Sequence, residues 1–129
     1  AYVSTNAAYG PHYEKIGHPE TAGTYPRLIG EYVRRRGILT LRDAIRKISY
    51  GPAQRIGIRN KGNIKVGLDA DITIFDYYKI DAFSDYVGCG NPNEKPAGIE
   101  YVIVNGDIII KNNDVYGANL QPGRLIRSV

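Results

Sequence analysis

The chain has no methionine, no tryptophan, one cysteine and two histidines among its 129 residues. With Cys89 alone, no internal disulfide can form, which is compatible with the cytoplasmic setting expected for this chain. His12 and His18 are not spaced as a helical metal pair, and a zinc site needs three or four protein ligands, so no metal site is expected within this chain. No apolar run approaches the roughly 20 residues that cross a bilayer, and no charged-then-apolar leader opens the chain, so no membrane association is expected. The chain opens on Ala1 and holds no methionine, which leads to the expectation of an excised or processed piece of a longer product. Dense positive charge is also scarce. The net charge is +4, and the only basic run is Arg34–Arg36, whose side chains point in three directions on a helix. This reads as a solvated helix end, and nucleic acid is not an expected partner, because no basic stripe with interleaved aromatics is present.

What is present fits one globular domain or part of one: 43% hydrophobic and 23% charged residues. Eleven tyrosines against two phenylalanines suit either a polar pocket or packing with hydroxyls at the surface. Tyr2–Thr5 is a short β-branched run that fits a buried strand. Asn6–Gly23 is punctuated by Gly10, Pro11, Gly17, Pro19 and Gly23 and reads as a long loop, a kind that is usually functional or mobile. A first helix is predicted with Thr24 as N-cap and Pro26 in its first turn, an apolar stripe of Leu28, Ile29, Tyr32 and Val33, and a stop at Gly37. Thr40 and Asp43 have capping-box spacing and open a second helix carrying Leu41, Ala44, Ile45 and Ile48. Gly51 is predicted to end it, and Pro52 to open a third short helix through Ile56, closed by Gly57.

Beyond Gly57 the period alternates. Ile64–Val66 and Ile72–Phe75 read as strands, and Glu100–Val104, Asn105-Gly106 and Asp107–Lys111 read as a hairpin with a tight turn. Tyr77–Gly98 reads as an irregular surface excursion and Gln121–Val129 as a tail. Helices first and strands last predict an α+β arrangement with a thin core. Its unpaired strand edges and helical stripes call for partner structure. Asp69 and Asp71 admit a reading as paired catalytic carboxylates or metal ligands; the alternative is a turn in which each Asp caps its own backbone. Cys89, between Gly88 and Gly90, has nothing nearby in sequence to lower its pKa and reads as incidental.

The tract Lys61–Asp76, KGNIKVGLDADITIFD, resembles the signature of the C-terminal sheet of amidohydrolase-superfamily enzymes. His18–Arg36 (HPETAGTYPRLIGEYVRRR), Thr40–Gly57 (TLRDAIRKISYGPAQRIG), the hairpin Ile99–Lys111 and PGRLIR at Pro122–Arg127 resemble, in order, the D-aminoacylase branch, the N-acyl-D-amino-acid deacylases. The resemblance implies an α+β fragment. Residues 1–57 would give the last strand, substrate loop and helices of a (β/α)8 barrel, and 58–129 part of an accessory β-sandwich with an irregular excursion at 77–98. A whole barrel needs about 250 residues, so a C-terminal portion is implied. The activity implied is zinc-dependent hydrolysis of the linear amide of an N-acyl-D-amino acid. The zinc ligands, Cys and His, lie earlier in the barrel, and the metal lowers the pKa of bound water. This fragment is expected to bind no zinc and to be inactive alone. The alternative is a degenerate, non-catalytic module that pairs with a missing N-terminal part, a partner chain or a second copy through its strand edges.

The resemblance also marks site residues. Tyr2–Thr5 resembles the eighth barrel strand, at whose end the family carries an Asp in an S/T-D-G pattern that moves the proton; here the residues are Ser4-Thr5-Asn6-Ala7, with Asn6 in that place. A neutral carboxamide does not take a proton as a carboxylate does, and general acid–base catalysis is worth ~10²–10⁴ in rate. Asn6 therefore implies a weak or inactive relative, a substrate trap if introduced, or transfer of the base role to Glu14 or Glu20; without the resemblance it is a plain turn residue. Glu20 stands where the family has an Arg able to pair with a substrate carboxylate. His18, Glu20 and Arg27 are the substrate-binding candidates, with His18 also suited to bracing the loop with Pro19 and Arg27 to a structural role.

Overall fold

The computed structural model describes Val3 and residues 18–126. The rest of the expected strand Tyr2–Thr5, together with Asn6, His12 and Glu14, lies outside the described residues. The first helix, α1 (Glu20–Arg27), runs directly into a π-helical stretch, Leu28–Arg35. Its N-cap is Pro19, five residues before the predicted Thr24. Thr24 is therefore not an N-cap; its hydroxyl donates one turn back to the carbonyl of Glu20 at 2.7 Å. Residues 20–23 belong to this helix and not to a loop, and Pro26 sits inside it. Proline removes an i→i−4 bond and crowds the preceding turn, and here the wider i→i−5 turns follow immediately. Gly37, at φ +61, ends the helix as predicted; its N–H donates to the carbonyl of Val33 at 3.2 Å.

Helix α2 (Leu41–Ile48) carries half of the expected capping box. Asp43 N–H donates to Thr40 Oγ1 at 3.1 Å, while the Thr40 hydroxyl donates to Asp43 Oδ2 at 2.7 Å in place of a reciprocal backbone bond. The chain breaks at Ser49 (φ −129, ψ −83), and α3 (Tyr50–Arg55) starts before Gly51 and contains it. Pro52 is the third residue of α3, where a missing N–H costs nothing because no intrahelical acceptor is available there. Gly57, at φ +79, closes α3, with Ile58 N–H donating back to Ala53 O at 2.9 Å.

Ile64–Val66 is not a strand. Ile64 is 81% exposed and Val66 fully so, and among the described residues no strand pairs with them to reward extension. The sheet is an antiparallel meander, β1 (Ile72–Phe75), β2 (Ile99–Val104), β3 (Asp107–Lys111) and β4 (Asp114–Val115), in that spatial order. Thr73 faces Val102, and Val102 faces Ile110. Asn105 (φ +49) and Gly106 (φ +91) make the predicted tight turn. A second positive-φ pair, Asn112 and Asn113, turns the chain into β4.

The core sits on the helices. Leu28, Ile29, Val33, Ala44, Ala53 and Ile80 are buried, and Val3, Leu39, Leu41, Ile48 and Tyr77 pack around Leu28, Val33 and Ala44. The irregular stretch 77–98 is more than a surface excursion. Ile80 and Ser84 are its anchors, 2% and 1% exposed. Gly30 permits the approach: a Cβ there would lie 2.8 Å from the carbonyl oxygen of Ile80. By contrast, among the described residues no strand residue is fully buried. Among the described residues no helix is long and apolar enough to cross a membrane.

Candidate functional site

His18 and Glu20 lie at the start of α1 and Arg27 at its end, and the structure brings His18 and Arg27 to the stretch 84–86. The His18 ring meets Tyr86 edge-on, with centroids 5.2 Å apart. His18 Nδ1 accepts from Glu20 N–H at 3.3 Å and lies 3.8 Å from Glu20 Oε1. Arg27 donates through Nη2 to the carbonyl of Ser84 at 2.9 Å. The buried Ser84 hydroxyl donates to the carbonyl of Pro19 at 2.8 Å. A Cβ at Gly23 would lie 2.3 Å from that hydroxyl oxygen, so glycine is what lets α1 close on Ser84. His18 thus braces this junction, and Arg27 holds main chain. Ser84 had no sequence signal, because its partner is 65 positions away.

Arg34–Arg36 is a solvated helix end at Arg35 and Arg36, which stay exposed, and its charges are paired. Arg34 donates to Tyr77 O at 2.6 Å and to Asp81 Oδ2 at 3.3 Å. Arg35 holds both oxygens of Asp81, with Nη2 to Oδ1 at 3.2 Å, and Glu31 through Nε at 2.6 Å. Arg36 reaches the other oxygen of Glu31 at 2.6 Å and lies over the Tyr32 ring, 5.4 Å from its centroid. The Arg35 guanidinium, with desolvation opposing, holds the Asp81 carboxyl below the ordinary carboxylate value. Arg36 and then Arg35 do the same to Glu31.

Asp69 and Asp71 form neither a catalytic pair nor self-capping turns. Both bind Lys61 Nζ, Asp69 at 2.9 Å. Asp71 Oδ1 also accepts from Asn105 N–H at 2.8 Å, and Asp69 Oδ2 from Asn60 Nδ2 at 2.8 Å. Lys61 is the first cause that lowers the Asp71 carboxyl, and Asp71 the first that raises the Lys61 ammonium. Cys89 is exposed. Among the described residues no group of three or more His, Cys, Asp or Glu could hold a metal ion, so these residues do not fit a zinc site.

One large open cleft, of about 620 Å³, lies between α1, α2 and the edge strand β1. Tyr25, Ile29, Ile48, Ile72, Phe75 and Ile99 give it an apolar lining, with Asp71 and Ser49 as polar margins. Its walls present side chains suited to packing and, among the described residues, no cluster of reactive groups.

The sequence pattern of the amidohydrolase family matches residues 13–110. The chain is 34% identical over 110 residues to an N-acyl-D-glutamate deacylase of Alcaligenes xylosoxydans xylosoxydans, a match covering 85% of this chain and 21% of that protein. A solved D-aminoacylase with a binuclear metal center superposes with a TM-score of 0.72 at 31% identity, over 78% of this chain and 20% of that one. The N-acyl-D-glutamate deacylase of Bordetella bronchiseptica, complexed with zinc and a phosphonate inhibitor, superposes with a TM-score of 0.67 at 29% identity, over 71% of this chain and 19% of that one. The chain spans no more than 21% of the length of any of the three.

Proposed function

The chain belongs to the amidohydrolase family, and from that premise we propose that it is the C-terminal portion of a zinc-dependent hydrolase that cleaves the linear amide of an N-acyl-D-amino acid. Residues 1–57 close the barrel of that enzyme, and residues 58–129 contribute to an accessory β-sandwich. The observation that carries this reading is the unfinished packing. The sheet buries no side chain fully, and an apolar cleft stands open beside edge strand β1. Val3 packs on the Leu28, Val33 and Ala44 cluster, which supports contact between that residue and the helices. The substrate class comes from the deacylases that the chain resembles. The metal ligands belong to the rest of that polypeptide, and no reaction step is assigned to the described residues. Asn6 occupies the place of the family's proton-transferring Asp, and Glu20 and Arg27 remain candidates for the substrate side.

Two assays test the reading. The 129-residue chain with zinc is expected to hydrolyse no N-acyl-D-amino acid, and turnover by it would overturn the proposal. In the complete polypeptide, Asn6→Asp is expected to raise deacylation ~10²–10⁴-fold. Absence of D-selective deacylation in both forms sinks the substrate assignment.

A further inference from the structure

Asn105-Gly106 is the only Asn-Gly pair in the chain. Asparagine is thermolabile, and glycine, having no Cβ, leaves its own backbone nitrogen unhindered for attack on the preceding side chain. In that reaction the Gly106 nitrogen bonds to Cγ of Asn105 and the Cγ–Nδ2 bond breaks. Ammonia leaves, carrying the proton lost by the backbone nitrogen. Solvent water then opens the five-membered imide at either carbonyl, giving aspartate or isoaspartate.

The fold occupies both nitrogens. Gly106 N–H donates to Ala70 O at 3.1 Å, and Asn105 Nδ2 donates to the carbonyl of Pro122. Asn105 N–H is held by Asp71 Oδ1 at 2.8 Å, and Asp71 is in turn held by Lys61. The turn is therefore fixed on one side by residues 70–71 and on the other by the tail. Ring closure requires Gly106 to leave Ala70 and the side-chain amide to leave Pro122. We propose that Asn105 is a latent deamidation site, clasped shut by Ala70, Asp71 and Pro122, and that opening of this clasp exposes it to reaction. The product reinforces the opening. A carboxylate at position 105 no longer donates to the Pro122 carbonyl, and it adds negative charge beside Asp71. Deamidation is thus a one-way release of the C-terminal stretch from the hairpin.

Peptide mapping by mass spectrometry tests this in mildly alkaline buffer, with the 129-residue chain compared against a synthetic peptide of residues 101–110. Conversion of Asn105 in the chain is expected to be at least about tenfold slower than in the peptide, as for a reaction that waits on local opening. Equal rates overturn the proposal. Asp71→Ala is expected to speed conversion of Asn105 about tenfold while leaving Asn60 unchanged; an unaltered Asn105 rate in a folded variant overturns it. If that variant does not fold, hydrogen exchange of the Gly106 amide in the unsubstituted chain decides. Protection supports the clasp, and exchange at the peptide rate overturns it.

Discussion

Ile80 and Ser84 tie the irregular 77–98 stretch to the helices through one apolar and one polar contact. Ile80 is 2% exposed, so Ile80→Ala is expected to cost about 2–5 kcal/mol, read by denaturant unfolding. Gly23→Ala places a methyl against Ser84 Oγ and is expected to cost about 1–3 kcal/mol. A neutral outcome for it would mean that α1 does not close on Ser84. The Asp81 and Asp71 carboxyls titrate below their ordinary value of 3.8, chiefly because of Arg35 and Lys61. A depressed folded pKa gives stability that is fully present above 3.8 and is lost as pH falls through the lower folded value. Asp81→Asn should therefore melt at a lower temperature than the unsubstituted chain at neutral pH, and the two should converge under acid. Parallel melting curves across that window would contradict the assignment. For Lys61 the sign reverses. Its pKa is raised above 10.5, so its contribution holds below that pH and fades in stronger alkali.

At the scale of elements, local chemistry and tertiary packing divide the work visibly. Thr40 caps α2 through a bond three residues away, and Thr40→Ala is expected to cost about 1 kcal/mol in thermal unfolding. Gly37, Gly57 and Asn105-Gly106 adopt the positive φ that makes them legible as stops and turns. Elsewhere the same reasoning fails. Gly23 marks a close approach to Ser84 and not a loop, and Pro26 lies inside a helix whose start Thr24 does not mark. Gly51 lies within α3, and Ile64–Val66 has β-like residues but, among the described residues, no strand to pair with. Gly30→Ala is expected to separate the π-helical stretch from Ile80 by forcing a Cβ against its carbonyl, and should appear as faster hydrogen exchange in residues 77–81.

Across the described residues, burial is concentrated on the helices, while the sheet remains half-buried beside an open apolar cleft. An isolated chain with that surface is expected to bind an apolar dye or to associate at micromolar concentration, as light scattering would show. A dye-silent monomer with one sharp melting transition would argue for a self-sufficient domain and against a missing partner. The substrate candidates share this dependence on the whole. His18 and Arg27 converge on residues 84–86, but the described residues hold no set of metal ligands.

The amino-acid sequence by itself determined that helices precede the sheet, the Thr40 cap, the strands Ile72–Phe75 and Asp107–Lys111 with the hairpin turn, and the family motifs, because these depend on residues a few positions apart. Tertiary structure alone decided what Arg34–Arg36, Asp81, Ser84 and Asp71 do. Arg35 meets Asp81 across 46 positions, Pro19 meets Ser84 across 65, and Asp71 meets Asn105 across 34. No local pattern encodes such pairs; packing of the helices against the 77–98 stretch and of the sheet against residues 60–71 brings the charges and the buried hydroxyl to their partners.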